Sequence, residues 1–276
     1  VGVLRVDHDA RPRGMLMNYT CHPVVLGPDN LLITADYPGY AVRVVEQAFG
    51  GGLTAMFTNG ATGDVNPGHS AELSAIGAPI PGRTFERAEK LGTMLAGEVI
   101  KVMETIQPQE KLALASRRKV IALPLKPLPP RKEVEGLVQE KERTLHELME
   151  KGAHQDEITR VKVEKLYAEL LLKQVREREG AFSLKALEVE LQAMRIGDCA
   201  LIAFPGEMFV EIGLAIKRSS PFPHTYIVGY ANGYVGYLPT KEAFEEGGYE
   251  AVTARFAAES SEVVKEESLA LLNSLV

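Results

Sequence analysis

Four polar constellations stand where an apolar run gives way to a loop, a placement that holds a side chain firmly and leaves it accessible. They are His22 in NYTCHP, Asp64 and Asn66 in NGATGDVNP, Glu207 in FPGE, and Tyr234 and Tyr237 in YANGYVGY. Taken singly, each has a plain structural meaning. A histidine after a strand is usually a hydrogen-bonded structural residue, PGE starts and caps a helix, and glycine–tyrosine clusters turn and pack. Cys21 beside His22 sets a thiol next to a base in sequence. Neighbouring strand residues point to opposite faces, however, so the pattern predicts that Cys21 packs rather than attacks.

The elements that must position these residues follow from periodicity. Residues 2–6 and 14–21 read as a strand pair around the turn ARPRG, with His22 at the end of the second strand. YPGYAVRVVEQAFGGG reads as a helix with Pro38 in its first turn and glycines at its end, and LTAMFTNG as a buried strand. Strand, helix, strand and Gly-rich loop in that order indicate an α/β unit, whose ligands sit at strand carboxyl ends. A helix is expected from Thr84 to Ile106, then the strand KLALASRRKVIALPL and the stiff break KPLPP. Residues 131–179 mix charged and aliphatic positions as two helices of a hairpin, broken near Lys151 to Gln155, and read as a solvated arm dispensable for any site. ALEVELQAMRIGDCALIAFPGE is two strands about the turn IGD. MFVEIGLAIKRSS is helix-like, TYIVGYANGY strand-like, and the remainder largely helical. The expected fold class is α/β, mixed sheets covered by helices with an inserted charged helical hairpin. Its divisions are 1–130 with His22 and the Gly-rich loop, 131–180 the hairpin, and 181–276 with Glu207 and Tyr237.

Composition narrows the function classes. Hydrophobic residues at 45% and charged residues at 25% suit a chain that buries a core. The net charge of -6, with no basic stripe, argues against nucleic acid as a partner. Two cysteines exclude a disulfide framework. No apolar run reaches the roughly 18–20 residues that span a bilayer, so no transmembrane segment is expected. The opening VGVLRVDHDARPRG reads as the interior of a longer chain rather than as a secretory signal.

In order, NYTCHPVVLGPDN, ITADYPGYAVRVVEQ, TNGATGDVNP, FPGEMFVEIG and ANGYVGYLPTKEAFEEGGYEAVTA resemble the neutral, non-lysosomal ceramidases and their bacterial relatives, from about Val3 to Phe256. The hairpin has no counterpart in that resemblance. What it implies is a zinc-dependent hydrolase that cleaves the amide bond of an N-acyl lipid or related N-acyl amine with metal-activated water. In that family two histidines, a glutamate and a tyrosine hold the zinc. By motif, His22, Glu207 and Tyr237 match three of these ligands, and Tyr249 matches a second, catalytic tyrosine close to the scissile amide. The loop residues Gly63, Asp64 and Asn66 fall on the substrate side, and either a phenol such as Tyr249 or a backbone N–H of the Gly60 to Gly63 loop would stabilise the oxyanion. Asn66 replaces a serine of the family and has no hydroxyl to offer as nucleophile. The family's upstream His-Thr-His segment has no match here, so the fourth ligand and a general acid are expected from a further segment. The alternative that stays open is a scaffold or interaction protein with a relict metal site.

Overall fold

Alternation shapes the first sheet. The buried residues Met15 and Met17 recur at period two, and with Val3 they turn one face of the first two strands into a core. A computed structural model describes residues 1–50, 52–180 and 184–276. In it β1 (Gly2–His8) and β2 (Arg11–Tyr19) are antiparallel, and the chain crosses through α1 (Asp36–Ala48) to β3 (Thr54–Asn59), parallel to β2. Helix α1 carries Pro38 in its first turn, where no N–H is required, and stops at Phe49 and Gly50, the latter at φ +77°. Gly51, the next expected helix-ending glycine, lies outside the described residues. A five-residue helix, α2 (Ala71–Ala75), is capped by Ser70, and α3 (Phe85–Thr105) by Thr84. α3 covers the sheet beside α1, closing a core around Met15, Met17, Val45, Val99 and Met103.

The second half builds its own core. β4 (Leu114–Pro124) leads into a hairpin of α4 (Arg131–Glu150) and α5 (Gln155–Gly180), after which β5 (Ala186–Ile196) returns antiparallel to β4, with Pro124 opposite Ala186. The junction expected at 181 lies outside the described residues. β6 (Cys199–Ala203) follows the turn at Gly197, φ +60°, and β7 (Glu207–Met208) the short loop after it. Helix α6 (Val210–Ser219) crosses to β8 (His224–Val228), parallel to β6, and β9 (Tyr237–Leu238) pairs with β7. Helices α7 (Lys241–Glu246), α8 (Tyr249–Thr253) and α9 (Ser260–Asn273) complete the chain. Phe204, Leu191, Ile202, Ile227, Phe256 and Leu272 centre this core. The sheets are β1-β2-β3, β4-β5-β6-β8 and β7-β9, so the architecture is mixed α/β.

The strand expected over TYIVGYANGY is shorter than the pattern suggests. It ends at Val228 because Tyr230 (φ 58°), Asn232 (φ 63°) and Gly236 (φ 87°) adopt turn conformations that no strand continues. Helix α2 escaped the sequence reading, since five residues are too few to display a period. The hairpin buries Val134, Leu172 and Val175 in a small core of its own and leaves most other positions exposed. Cross-helix ion pairs such as Lys141–Glu164 at 2.8 Å lace its outer face. At its base it touches α2 and α8, so it is not a wholly free arm. Among the described residues no helix is long and apolar enough to cross a membrane.

The two halves meet at the carboxyl ends of parallel strands. The buried Asn18 amide donates to the Ile227 carbonyl at 2.8 Å and to Thr58 Oγ1 at 3.1 Å, while the Gly229 N–H donates to the Asn59 carbonyl at 3.0 Å. Beside this seam the Gly63 N–H donates to the Met208 carbonyl at 2.8 Å, an approach that leaves no room for a side chain. An alanine Cβ at 63 would stand 2.7 Å from the Glu207 carbonyl oxygen and 2.8 Å from the Phe209 ring. Gly63→Ala is therefore expected to lower stability by about 1–3 kcal/mol. Gly97→Ala, on the open face of α3, should raise it by about 0.5–1 kcal/mol. Urea unfolding of the two variants beside the parent checks the contrast.

Candidate functional site

His22 follows β2 directly and is fixed from both sides of its peptide. Its backbone N–H donates to the Val65 carbonyl at 2.8 Å, and the preceding Cys21 carbonyl accepts the Tyr37 hydroxyl at 2.7 Å. The ring is buried, with Nε2 3.4 Å from Glu207 Oε2 and 3.3 Å from the Gly63 carbonyl oxygen. Nδ1 is hydrogen-bonded to the Tyr230 hydroxyl at 3.0 Å. Each ring nitrogen thus has a defined task.

Glu207 reaches this point through register. In the parallel β7–β9 pair it lies opposite Tyr237, while Met208 lies opposite Leu238. Paired residues share a face and successive residues alternate, so carboxylate and phenol project together while Met208 and Leu238, each 1% exposed, enter the core. A slip of one residue would drive the carboxylate into that core. The Tyr234 hydroxyl donates to Glu207 Oε1. Tyr237 packs its ring edgewise on His22, centroids 6.4 Å apart, and Tyr249 packs edgewise on Tyr237 at 6.2 Å. Tyr230 and Tyr234 stack at 6.1 Å.

Four phenols therefore surround one carboxylate. Burial raises the pKa of Tyr230, Tyr234, Tyr237 and Tyr249, and the charge of Glu207 raises each further, so all four stay protonated through neutral pH. Glu250, next to Tyr249, is also pushed up, first by burial and then by the nearby Glu72, Asp64 and Glu207. The buried carboxylate and imidazole at the centre of the site are donors that suit a cation.

The structure brings together His22, Glu207 and Tyr237, with Tyr249 one ring further out. It gives the loop residues other work. Asp64 accepts the Val210 N–H at 2.8 Å and so holds the start of α6. The Gly60 and Gly63 N–H groups are engaged by the Tyr19 and Met208 carbonyls at 2.9 and 2.8 Å, so of the oxyanion donors expected, a phenol or a loop amide, these two amides are already taken. Asn66 sits half-buried between Asp64 and α2. Sequence reasoning passed over Tyr230, the partner of Nδ1, although it stands in the same YANGY run as Tyr234. It also passed over His69, whose pKa is lowered by burial and by Arg83 and Arg87, with a further contribution from His22.

The chain shares its fold with neutral ceramidases. Neutral ceramidase from Pseudomonas aeruginosa matches 99% of this chain with a TM-score of 0.66 at 18% identity. A ceramidase complexed with C2 matches 99% with the same TM-score at 16% identity. The likeness is distant, and this chain spans 46% and 47% of those two, about half their length. No protein-family model and no curated protein matches the sequence.

The donor set can be tested against zinc by its spacing. Tetrahedral ligands with bonds of about 2.0–2.2 Å lie about 3.3–3.6 Å from one another. The 3.4 Å between His22 Nε2 and Glu207 Oε2 is such an edge. Among the described residues no three His, Cys, Asp or Glu side chains cluster for a metal, and the side-chain oxygens beside this pair are phenols. Tyr237 and Tyr234 both qualify. Tyr234 takes the direct hydrogen bond to Glu207 but is 63% exposed, whereas Tyr237 lies further in against the imidazole.

Cys21 turns its sulfur away from the imidazole. Sγ contacts the His22 carbonyl at 3.7 Å, and the side chain packs on the first core. Burial, aided by the charge of Asp36, pushes the thiol up to about 11. Alkylation by iodoacetamide at pH 8 is expected to be at least about tenfold slower at Cys21 in the folded chain than in urea, since the thiolate is the reacting species. Peptide mapping of the modified protein measures it, and equal rates would contradict the assignment.

Proposed function

We propose that this chain is a hydrolase of N-acyl amides, of the N-acyl lipid or N-acyl amine class, with a zinc ion held by His22, Glu207 and Tyr237. The observation that carries the reading is the 3.4 Å approach of a buried imidazole and a buried carboxylate from opposite halves of the molecule. The fold shared with neutral ceramidases supports it. Zinc bound there would supply a water activated near neutral pH and a Lewis acid for the substrate carbonyl. His22, Glu207 and Tyr237 match three of the four ligands of the ceramidase pattern, and the fourth, a histidine, is expected from a further segment.

The remaining chemistry belongs to the chain. The His22 tautomer that suits zinc carries its proton on Nδ1, where the Tyr230 hydroxyl at 3.0 Å can accept it, and leaves the Nε2 lone pair free for the metal. Tyr234 orients the carboxylate by its hydrogen bond to Oε1. Tyr249 remains a neutral phenol and can donate to an oxygen that gains negative charge during amide cleavage. With the Gly60 and Gly63 amides engaged elsewhere, the phenol is the donor this reading assigns. Asn66 can hydrogen-bond a substrate polar group but offers no hydroxyl, and the Cys21 thiol is held protonated, so neither is the nucleophile.

Zinc titration of the chelator-treated chain tests the reading, with metal content and hydrolysis of a panel of N-acyl amides measured side by side. One equivalent is expected to bind. Tyr230→Phe should weaken binding by about 10–100-fold, the usual effect of removing a partner of a ligating histidine. His22→Ala and Glu207→Gln should weaken it more and abolish hydrolysis, while Cys21→Ala retains both. Zinc affinity indifferent to His22 and Glu207, or full activity after verified metal removal, would sink the proposal.

A further inference from the structure

Helix α8 should not exist by itself. It has five residues, Tyr249–Thr253, far below the length at which a helix holds in water, and its N-cap is Gly248, which offers no side-chain cap. Gly247 and Gly248 precede it at φ +81° and +100°, a conformation that gives the segment a swivel rather than an anchor. Its position must come from outside.

Both ends are held by side chains from other elements. At the first turn the Tyr249 N–H donates to Glu72 Oε1 at 3.2 Å, so a carboxylate from α2 stands in for the missing cap and meets the positive end of the helix. That carboxylate is itself fixed. Tyr167 of α5 donates its hydroxyl to the same Oε1 at 2.9 Å, and Ser70 donates to Oε2 at 2.6 Å. At the last turn Gln174 Nε2, also on α5, donates to the Val252 and Thr253 carbonyls at 2.9 and 3.2 Å. Lys126 Nζ donates to the Val252 carbonyl at 2.7 Å, and Arg178 of α5 donates in turn to the Lys126 carbonyl. Helix α5 therefore contributes to fixing both the amide and the carbonyl ends of this short segment.

We propose that the base of the charged hairpin is a positioning device: Tyr167, through Glu72, and Gln174 hold α8 so that the Tyr249 ring stays against Tyr237. Tyr167 and Gln174 lie two turns apart on one face of α5, a spacing of seven that presents them to the two ends of α8. The tip of the hairpin has no part in this. The brace rests on these hydrogen bonds, and its effect on turnover rests on the hydrolase reading above.

The test compares the full chain carrying Tyr167→Phe and Gln174→Ala with the parent, by hydrogen exchange of amides 249–254, zinc content, and kcat and KM on N-acyl amides. Tyr167→Phe alone, which removes only a hydroxyl, serves should the double variant fail to fold. Exchange at 249–254 is expected to quicken about tenfold in the double variant with protection of the sheet strands unchanged. Zinc affinity and KM should stay within about twofold while kcat falls by about fivefold or more. A general loss of packing would instead raise exchange throughout. Unchanged exchange at 249–254 overturns the brace whatever the activity does, and faster exchange with undiminished kcat overturns its role in positioning Tyr249. A chain that hydrolyses none of the amides defeats the hydrolase reading, and the exchange result then decides the brace alone.

Discussion

Three consecutive loop residues tie the molecule together, and the rest of its centre depends on them. The Gly63 N–H binds the Met208 carbonyl, the Asp64 carboxylate takes the Val210 N–H, and the Val65 carbonyl takes the N–H of His22. One short stretch thus connects β7, the start of α6 and the histidine. The approach at Gly63 is possible only without a side chain, because Glu207 and Phe209 occupy the space a Cβ would need. That loop works with the Asn18–Ile227, Gly229–Asn59 and Tyr230–His22 contacts to hold imidazole and carboxylate together across the seam.

The electrostatics follow from the same closure. Burying a carboxylate is costly unless its oxygens accept hydrogen bonds. Glu207 accepts the Tyr234 hydroxyl at one oxygen, and its other oxygen stands 3.4 Å from His22 Nε2. Surrounding it with phenols keeps the region polar without placing a lysine or arginine at the carboxylate, where a fixed cation would compete with a metal. Aromatic rings supply rigidity at the same time. They meet edge to face or stacked from His22 out to Tyr249, so each ring limits the tilt of the next.

Much of the fold was legible because it rests on period. Met15 and Met17 alternate as a strand demands, and Thr84 caps its helix as its side chain allows, whereas the helix after Ser70 is too short to announce itself. What escaped was tertiary. The turns at Tyr230 and Asn232 are left-handed at residues that are not glycine, so an aromatic run that reads as strand becomes a loop. The grouping of His22, Glu207 and Tyr237 came from ordered motifs, not from spacing, because contacts across a seam leave no periodic trace. Tyr230 was hidden for that reason. Tyr167 looks like an ordinary position of a charged helix and Glu72 like a lone loop carboxylate, and their partnership appears only when α5 is laid against α2 and α8. The contacts of the arm's base with α2 and α8 were hidden for the same cause.

The hairpin enters and leaves the second sheet at neighbouring positions. Pro124 and Ala186 are paired across β4 and β5, so the helices occupy the place of a turn between two antiparallel strands. Closing a long loop whose ends already meet costs only slightly more than closing a short one. A segment of this kind can be gained or lost in the history of a chain without disturbing the sheet that carries it. It needs no purpose on arrival, and side chains at its foot can acquire one later, a residue at a time. For protein engineering, the same junction is a place where a foreign module could be spliced in, provided that whatever replaces the base of α5 still reaches the two ends of the helix beneath it.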